Sequence, residues 1–512
     1  MKKNIIKIFT VLAVVSTVAV SCDDYLDVND SPNSPLASQI PPNQRLQAAQ
    51  TQMHRAITGD ARTTSADIRS NSLNQLGSIW TNAWAGNSNS TTGAMADEYT
   101  VSLNASFYDA IWDYSYRNLT NLHSITQYDS DDYDNHKAIA MILKSFYMQY
   151  IVDLYGDAPY AEAFLGQDNI TPAYDDDRDI YRALVDNLDA AVALIESADS
   201  NDKLVGSEDV MLAGNMNSWV SFANTIKLRL LIRQSGLASE QTYIESELDE
   251  LSGAIFITSD VTINPGFDNT ATEKQNPFYA RYGYNISGGA LTNRSYIVAT
   301  SHAASILNGT VTGVVDPRRS RLFTLQGGQV VGITQGEDGT TAPDNVSLLG
   351  PAIVPTNTVI GSAMDGYVMT LSEAKFLLSE AALKYPSKFA GYDPQTLFNE
   401  GIDASFVRLG AGSSAAYIAS IDAVSGYGWS ASADKVQAIM TQKWIALMHI
   451  HGIESWIDYL RTGFPSSPLP LTNTTGLPKR LMYPTSELGG NSANVPSQTV
   501  ASAFATGPFW LL

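Results

Sequence analysis

DNHKAIAMILKSFYMQYIVDLYG, residues 134–156, decides the fold class. Ile139, Ile142, Leu143, Phe146, Tyr150 and Leu154 recur three or four positions apart, which sets them on one face of a helix. Asp134 opens the stretch, where a negative charge suits the positive end of the helix, and Pro159 lies just beyond its close.

The same pattern continues along the chain. DDDRDIYRALVDNLDAAVALIESA begins with acids and carries a seam of Ile180, Leu184, Leu188, Val192 and Ile195. NSWVSFANTIKLRLLIRQSG adds Trp219, Phe222, Ile226 and Leu230 and stops at Gly236. SEAKFLLSEAALKYP and PQTLFNEGIDASFVRLG read as a helix pair split by PSKFAGYDP. DKVQAIMTQKWIALMHIHGIESWIDYLRTG reads as one long helix with Val436, Met440, Trp444, Leu447 and Leu460 apolar. The expected fold is therefore mainly α, built of tetratricopeptide-like helical pairs with long loop-rich insertions and a little β, although no strict repeat of about 34 residues is visible. The insertions fall at about residues 59–105, rich in Asn, Ser, Thr and Gly, and at about 253–365, where small strands are expected at most.

Composition narrows the function. The 512 residues are 44% hydrophobic but only 16% charged, so the surface is rich in neutral polar groups, which suit neutral ligands such as sugars. A net charge of −21 excludes nucleic-acid binding, which needs clustered Lys and Arg. With a single cysteine, the fold has no disulfide and no thiolate metal site.

That cysteine is Cys22. Lys2, Lys3 and Lys7 precede an apolar run at residues 8–20, which as a helix would rise about 20 Å, short of the ~30 Å hydrocarbon core. Residues 1–21 thus read as a secretory signal with Cys22 at its junction, where a bacterial lipoprotein carries its acyl chains. Residues 22–42, acidic and then rich in Asn, Ser and Pro, read as the acylated cysteine and a flexible tether. Residues 43–512 read as a single helical domain.

Chemical motifs are few. Neither a phosphate-binding GxxxxGK[ST] nor a GxSxG nucleophile elbow is present. His449 and His451, two apart on the expected long helix, would face about 200° apart and could not share a metal. The carboxylate clusters at 129–135 and 175–179 fit helix N-termini better than a Ca²⁺ loop. No cofactor is expected, with a structural Ca²⁺ held by loop carbonyls left open. The aromatic loops say more. QLGSIWTNAWAGNSN (75–89) holds Trp80, Asn82 and Trp84, and NPFYARYGYN (276–285) holds Phe278, Tyr279, Arg281, Tyr282 and Tyr284. Flat rings stack on sugar faces while amides and guanidinium bind hydroxyls, so these eight are the expected ligand-binding residues. The bland alternative gives the same rings to packing of the loops on the helical body.

SCDDYLDVNDSPN at 21–33, YGDAPYAEA at 155–163, NSWVSFANTIKLRLLIR at 217–233, VDPRRSRLF at 315–323, SEAKFLLSEAALKY at 372–385, QKWIALMHIHGIESWIDYLRTGFP at 442–465 and PKRLMYPTSE at 478–487 together resemble the SusD/RagB-like nutrient-binding outer-membrane lipoproteins. The resemblance implies a surface-exposed lipoprotein, anchored in the outer membrane through Cys22. Such a protein captures an oligosaccharide without cleaving it and acts as the lid of a SusC-like TonB-dependent transporter. Two alternatives stay open: peptide capture of the RagB type, and a surface glycoside hydrolase, which would share the anchor and the aromatic loops.

Overall fold

The computed structural model describes residues 39–59 and 71–511. Cys22, the signal and most of the expected tether lie outside them. Numbering only the helices of the scaffold, the order is α1 (Leu46–Thr58), α2 (Leu73–Trp80), α3 (Ala110–Thr126), α4 (Asp134–Tyr155), α5 (Asp177–Ser197), α6 (Met216–Arg233), α7 (Gln241–Glu250), α8 (Leu371–Lys384), α9 (Pro394–Leu409), α10 (Lys435–Leu447) and α11 (Gly452–Thr462). Side chains start many of them. Asp176 accepts from the N–H groups of Arg178 and Asp179, Asn215 from Ser218, Thr370 from Glu373 and Asp393 from Thr396, so each satisfies donors that a helix start leaves open. The acids at 175–179 thus serve a helix start, as their position implies.

Neighbours in sequence pack against each other: α3 with α4, α4 with α5, α5 with α6, α8 with α9, and α10 with α11. Contacts of α6 with α8 and of α11 with α2 join these pairs into one continuous helical layer. Strands are short. β1 (Trp84–Gly86) pairs antiparallel with β3 (Ile297–Ala299), and β2 (Val261–Ile263) with β4 (Gly366–Met369). The second insertion is less irregular than its composition implies, for short helices occupy 277–282, 292–296, 301–307, 319–322 and 358–362.

One expectation is corrected. The long helix at 434–463 is two helices, broken at 448–451, where His449 takes φ +72°. Tertiary bonds replace the helical ones there. Asn74 donates its amide to the His449 carbonyl (2.9 Å) and accepts the Gly452 N–H (3.0 Å). A Cβ on Gly77 would sit 2.1 Å from the Gly452 carbonyl carbon, so α2 and α11 meet backbone to backbone. His449 and His451 therefore do not lie two apart on a helix, since neither is inside one. Each imidazole has its own role instead: His449 faces Trp84, and His451 faces Glu373 and Tyr150.

The centre of the helical layer is charged. Arg229 on α6 lies 3.1 Å from Glu373 on α8 and 3.2 Å from Glu454 on α11. One turn on, Arg233 bridges Glu454 (2.7 Å) and Asp153 on α4. Asp153 also accepts from Tyr181, Gln149 and the Trp510 indole. All these charged side chains are buried. Although Glu373, His451 and Glu454 offer converging ligand atoms, the Arg229 guanidinium already supplies the positive charge between the two carboxylates. The cluster ties helices together.

Candidate functional site

The two loop-rich insertions, far apart in sequence, form one face. β1 from the first pairs with β3 from the second, with Trp84 opposite Ala299 and Gly86 opposite Ile297. Amide side chains hold the seam. Asn87 donates to the Ser295 carbonyl (2.9 Å), and Gln335 donates to the carbonyls of Ile79 and Trp84, both at 2.8 Å. Thr300 donates its hydroxyl to the Asn82 carbonyl (2.6 Å), while the Asn82 amide donates to Pro468 (2.7 Å). These neutral bonds satisfy the backbone groups that irregular segments would otherwise bury unpaired.

Most of the expected ligand-binding rings are inside this seam. Trp80 is 4% exposed; it stacks on Phe107 and tilts against Trp456 of α11, with ring centres 5.8 and 4.9 Å away. Trp84 is fully buried, and its indole N–H donates to Nδ1 of His449 at 2.6 Å. Tyr282 packs edge-on against Trp84 and donates its hydroxyl to Gln75 (2.8 Å). Tyr279 donates to the Pro355 carbonyl (2.9 Å), with Gly361 directly against its ring. Asn82, Trp80, Trp84 and Tyr282 are buried in the seam, while Tyr279, also buried, lines a cavity together with Phe278. Phe278, Arg281 and Tyr284 are half-buried. Sequence gives no signal for this, because a ring that plugs a loop and a ring that stacks on a sugar have the same neighbours in the chain.

What the face does offer is a cleft of about 170 Å³ between the 86–100 and 333–339 segments. Ser88, Thr92, Thr100, Glu337, Asp338 and Thr472 line it, with the Tyr99 ring at its base. Tyr99 is fixed by accepting the Gly86 N–H at 2.7 Å. A Cβ on Gly86 would lie 2.6 Å from the Cβ of Ala94, so glycine lets the 86–100 segment fold back on itself. The Ser88 hydroxyl is buried without a partner. Hydroxyls and carboxylates line the cleft, and no Lys or Arg does. Such a lining accepts hydrogen bonds from hydroxyl groups and repels anions. The hydroxyl and backbone N–H of Thr340 hold Asp338 below the usual carboxylate range, which is the opposite of what a general acid for glycoside cleavage requires. Asn87, Gln335 and Ser88 were missed by an argument fixed on rings; the Asn/Ser/Gly run at 86–90 was the available signal.

The model of a protein family described as "Starch-binding associating with outer membrane", SusD-like, matches residues 43–484. No curated protein sequence matches the chain. Among solved structures, the chain is similar to a chitin-binding SusD homologue from Flavobacterium johnsoniae: 24% identity, 91% of this chain and 98% of that one, TM-score 0.71. It is also similar to a SusD homologue from Bacteroides uniformis (26% identity, 94% and 100% coverage, TM-score 0.68) and to one from Bacteroides vulgatus (20%, 88% and 94%, 0.69).

Proposed function

The chain belongs to the SusD-like family, and from that premise we propose that it captures a neutral oligosaccharide at the outer membrane, in the cleft between the 86–100 and 333–339 loops, without cleaving it. The observation that carries this reading is the cleft's lining: hydroxyls and carboxylates for sugar hydroxyls, a tyrosine at the base, and no cation. The chitin-binding relative supports a glycan as the ligand class. Among the described residues no helix is long and apolar enough to cross a membrane, which accords with attachment through acyl chains on Cys22. Delivery to a SusC-like TonB-dependent transporter, with this chain as its lid, completes the proposal.

Calorimetric titration against a panel of neutral oligosaccharides, with the same mixtures assayed for cleavage, tests it. Binding without cleavage, weakened by Ser88→Ala and Thr92→Ala, is the expected result. Cleavage would make the protein a glycosidase. Binding of peptides in place of glycans would move it to the RagB type.

A further inference from the structure

A second cavity, sharing no lining residue with the loop cleft, lies where the 276–284 segment meets β4 and the break between α10 and α11. Phe278, Ile353, Met364 and Tyr367 contribute to its walls, and His449 and Arg408 line it as well. Its volume of about 40 Å³ is room for about three water-sized groups.

Two buried donors there have no partner. An indole N–H only donates, so the bond from Trp84 requires a lone pair on Nδ1 of His449. Burial, reinforced by the Arg408 charge, holds this imidazole down to about 3, hence neutral. Its proton is therefore on Nε2, which is buried and unpartnered. Arg408 donates from Nη2 to the Ala446 carbonyl (2.7 Å) and lies over the Tyr367 ring, but its Nε is buried without an acceptor. Among the described residues no carboxylate makes an ion pair with Arg408. Asp260 acts on Arg408 through space but makes no ion pair with it, so the buried Nε still lacks an acceptor, a need that a charged oxygen meets best.

We propose that this cavity binds one carboxylate group, which accepts from His449 Nε2–H and Arg408 Nε–H and neutralises the guanidinium. A carboxylate has three heavy atoms, matching the volume, and charge-assisted bonds to it are the strong kind. It arrives either on a sugar acid or as a small free monocarboxylate. The site is independent of the loop cleft and stands whether or not a neutral glycan binds there. Asp365, exposed among the lining residues, opposes the ligand's charge.

The test is calorimetric titration of the full chain in detergent with sodium acetate and with galacturonate at constant ionic strength. Saturable binding with Kd below about 10 mM is expected. Arg408→Gln should weaken it about tenfold or more, and Asp365→Asn should tighten it about twofold. A response to both compounds identifies the carboxylate alone as the ligand; a response to galacturonate only identifies a sugar acid. Absence of saturable binding by either compound overturns the assignment. Affinity that Asp365→Asn leaves unchanged or weakens also overturns it, and that result is decisive even if Arg408→Gln fails to fold.

Discussion

Buried ion pairs tie the helical layer together, whereas neutral hydrogen bonds join the two loops at their seam, with the buried Asp316–Arg318 pair elsewhere in the second insertion. In the layer, Arg229 and Arg233 meet Asp153, Glu373 and Glu454 almost entirely out of water. In the seam, Asn82, Asn87, Gln335 and Thr300 do the joining with neutral groups aimed at backbone carbonyls. The difference follows from what each region needs. Helices satisfy their own backbone, so their side chains are free to tie one helix to the next by ion pairs. Irregular loops have unsatisfied backbone, and amides and hydroxyls answer it at lower desolvation cost. A face that holds itself together with neutral hydrogen bonds also keeps hydroxyls available to a neutral ligand.

Substitutions can break this comparison. Removing Arg233 should have the largest effect, because Asp153 and Glu454 would stay buried with their main cation gone. Arg233→Ala should cost about 3–5 kcal/mol, read as a fall in the denaturant midpoint. An unchanged midpoint would mean that the layer does not depend on its ion pairs.

Acid should act on the same layer. Burial alone would raise the Glu380 carboxyl, but Arg461 (2.5 Å) and Lys384 (2.8 Å) outweigh it and hold it down to about 2. The folded value lies below the unfolded one of about 4.3, so the pair contributes about 3 kcal/mol above that pH, lost as pH falls through about 2. Wild type should exceed Glu380→Gln in stability by a constant amount above about pH 5, and the two should converge toward pH 2. A constant gap across that range would refute the assignment.

The junction between helical layer and loop face comes next. Gly77→Ala places a methyl against the Gly452 backbone and should cost about 1–3 kcal/mol, seen as a lower Tm. On the loop face itself the effect on stability should be smallest. Ser88→Ala removes a hydroxyl with no partner, so stability should change by no more than about 0.5 kcal/mol. Oligosaccharide affinity should nonetheless fall about fivefold, as loss of one hydrogen bond of about 1 kcal/mol implies. A variant that loses stability instead of affinity would erase the distinction between scaffold and binding face.

The sequence by itself determined the helices. The 3.6-residue periodicity of Ile139 to Leu154, Ile180 to Ile195 and Trp219 to Leu230 is a local property, and amphipathic stripes of that length have no other way to bury themselves. The helix starts at Asp176 and Asp393 are local too. Only the tertiary structure decided what Trp84 does. Its partner His449 is 365 residues away, and no neighbour in the chain reports on it. The break at 448–451 has the same origin: Asn74, Gly77 and Trp84 supply from outside the bonds and the space that a continuous helix would have needed from within. The ring clusters at 75–89 and 276–285 were legible as important, with ligand contact and burial by packing both open to each ring. Burial depends on which distant surfaces meet, and composition records only that large apolar rings will be covered by something.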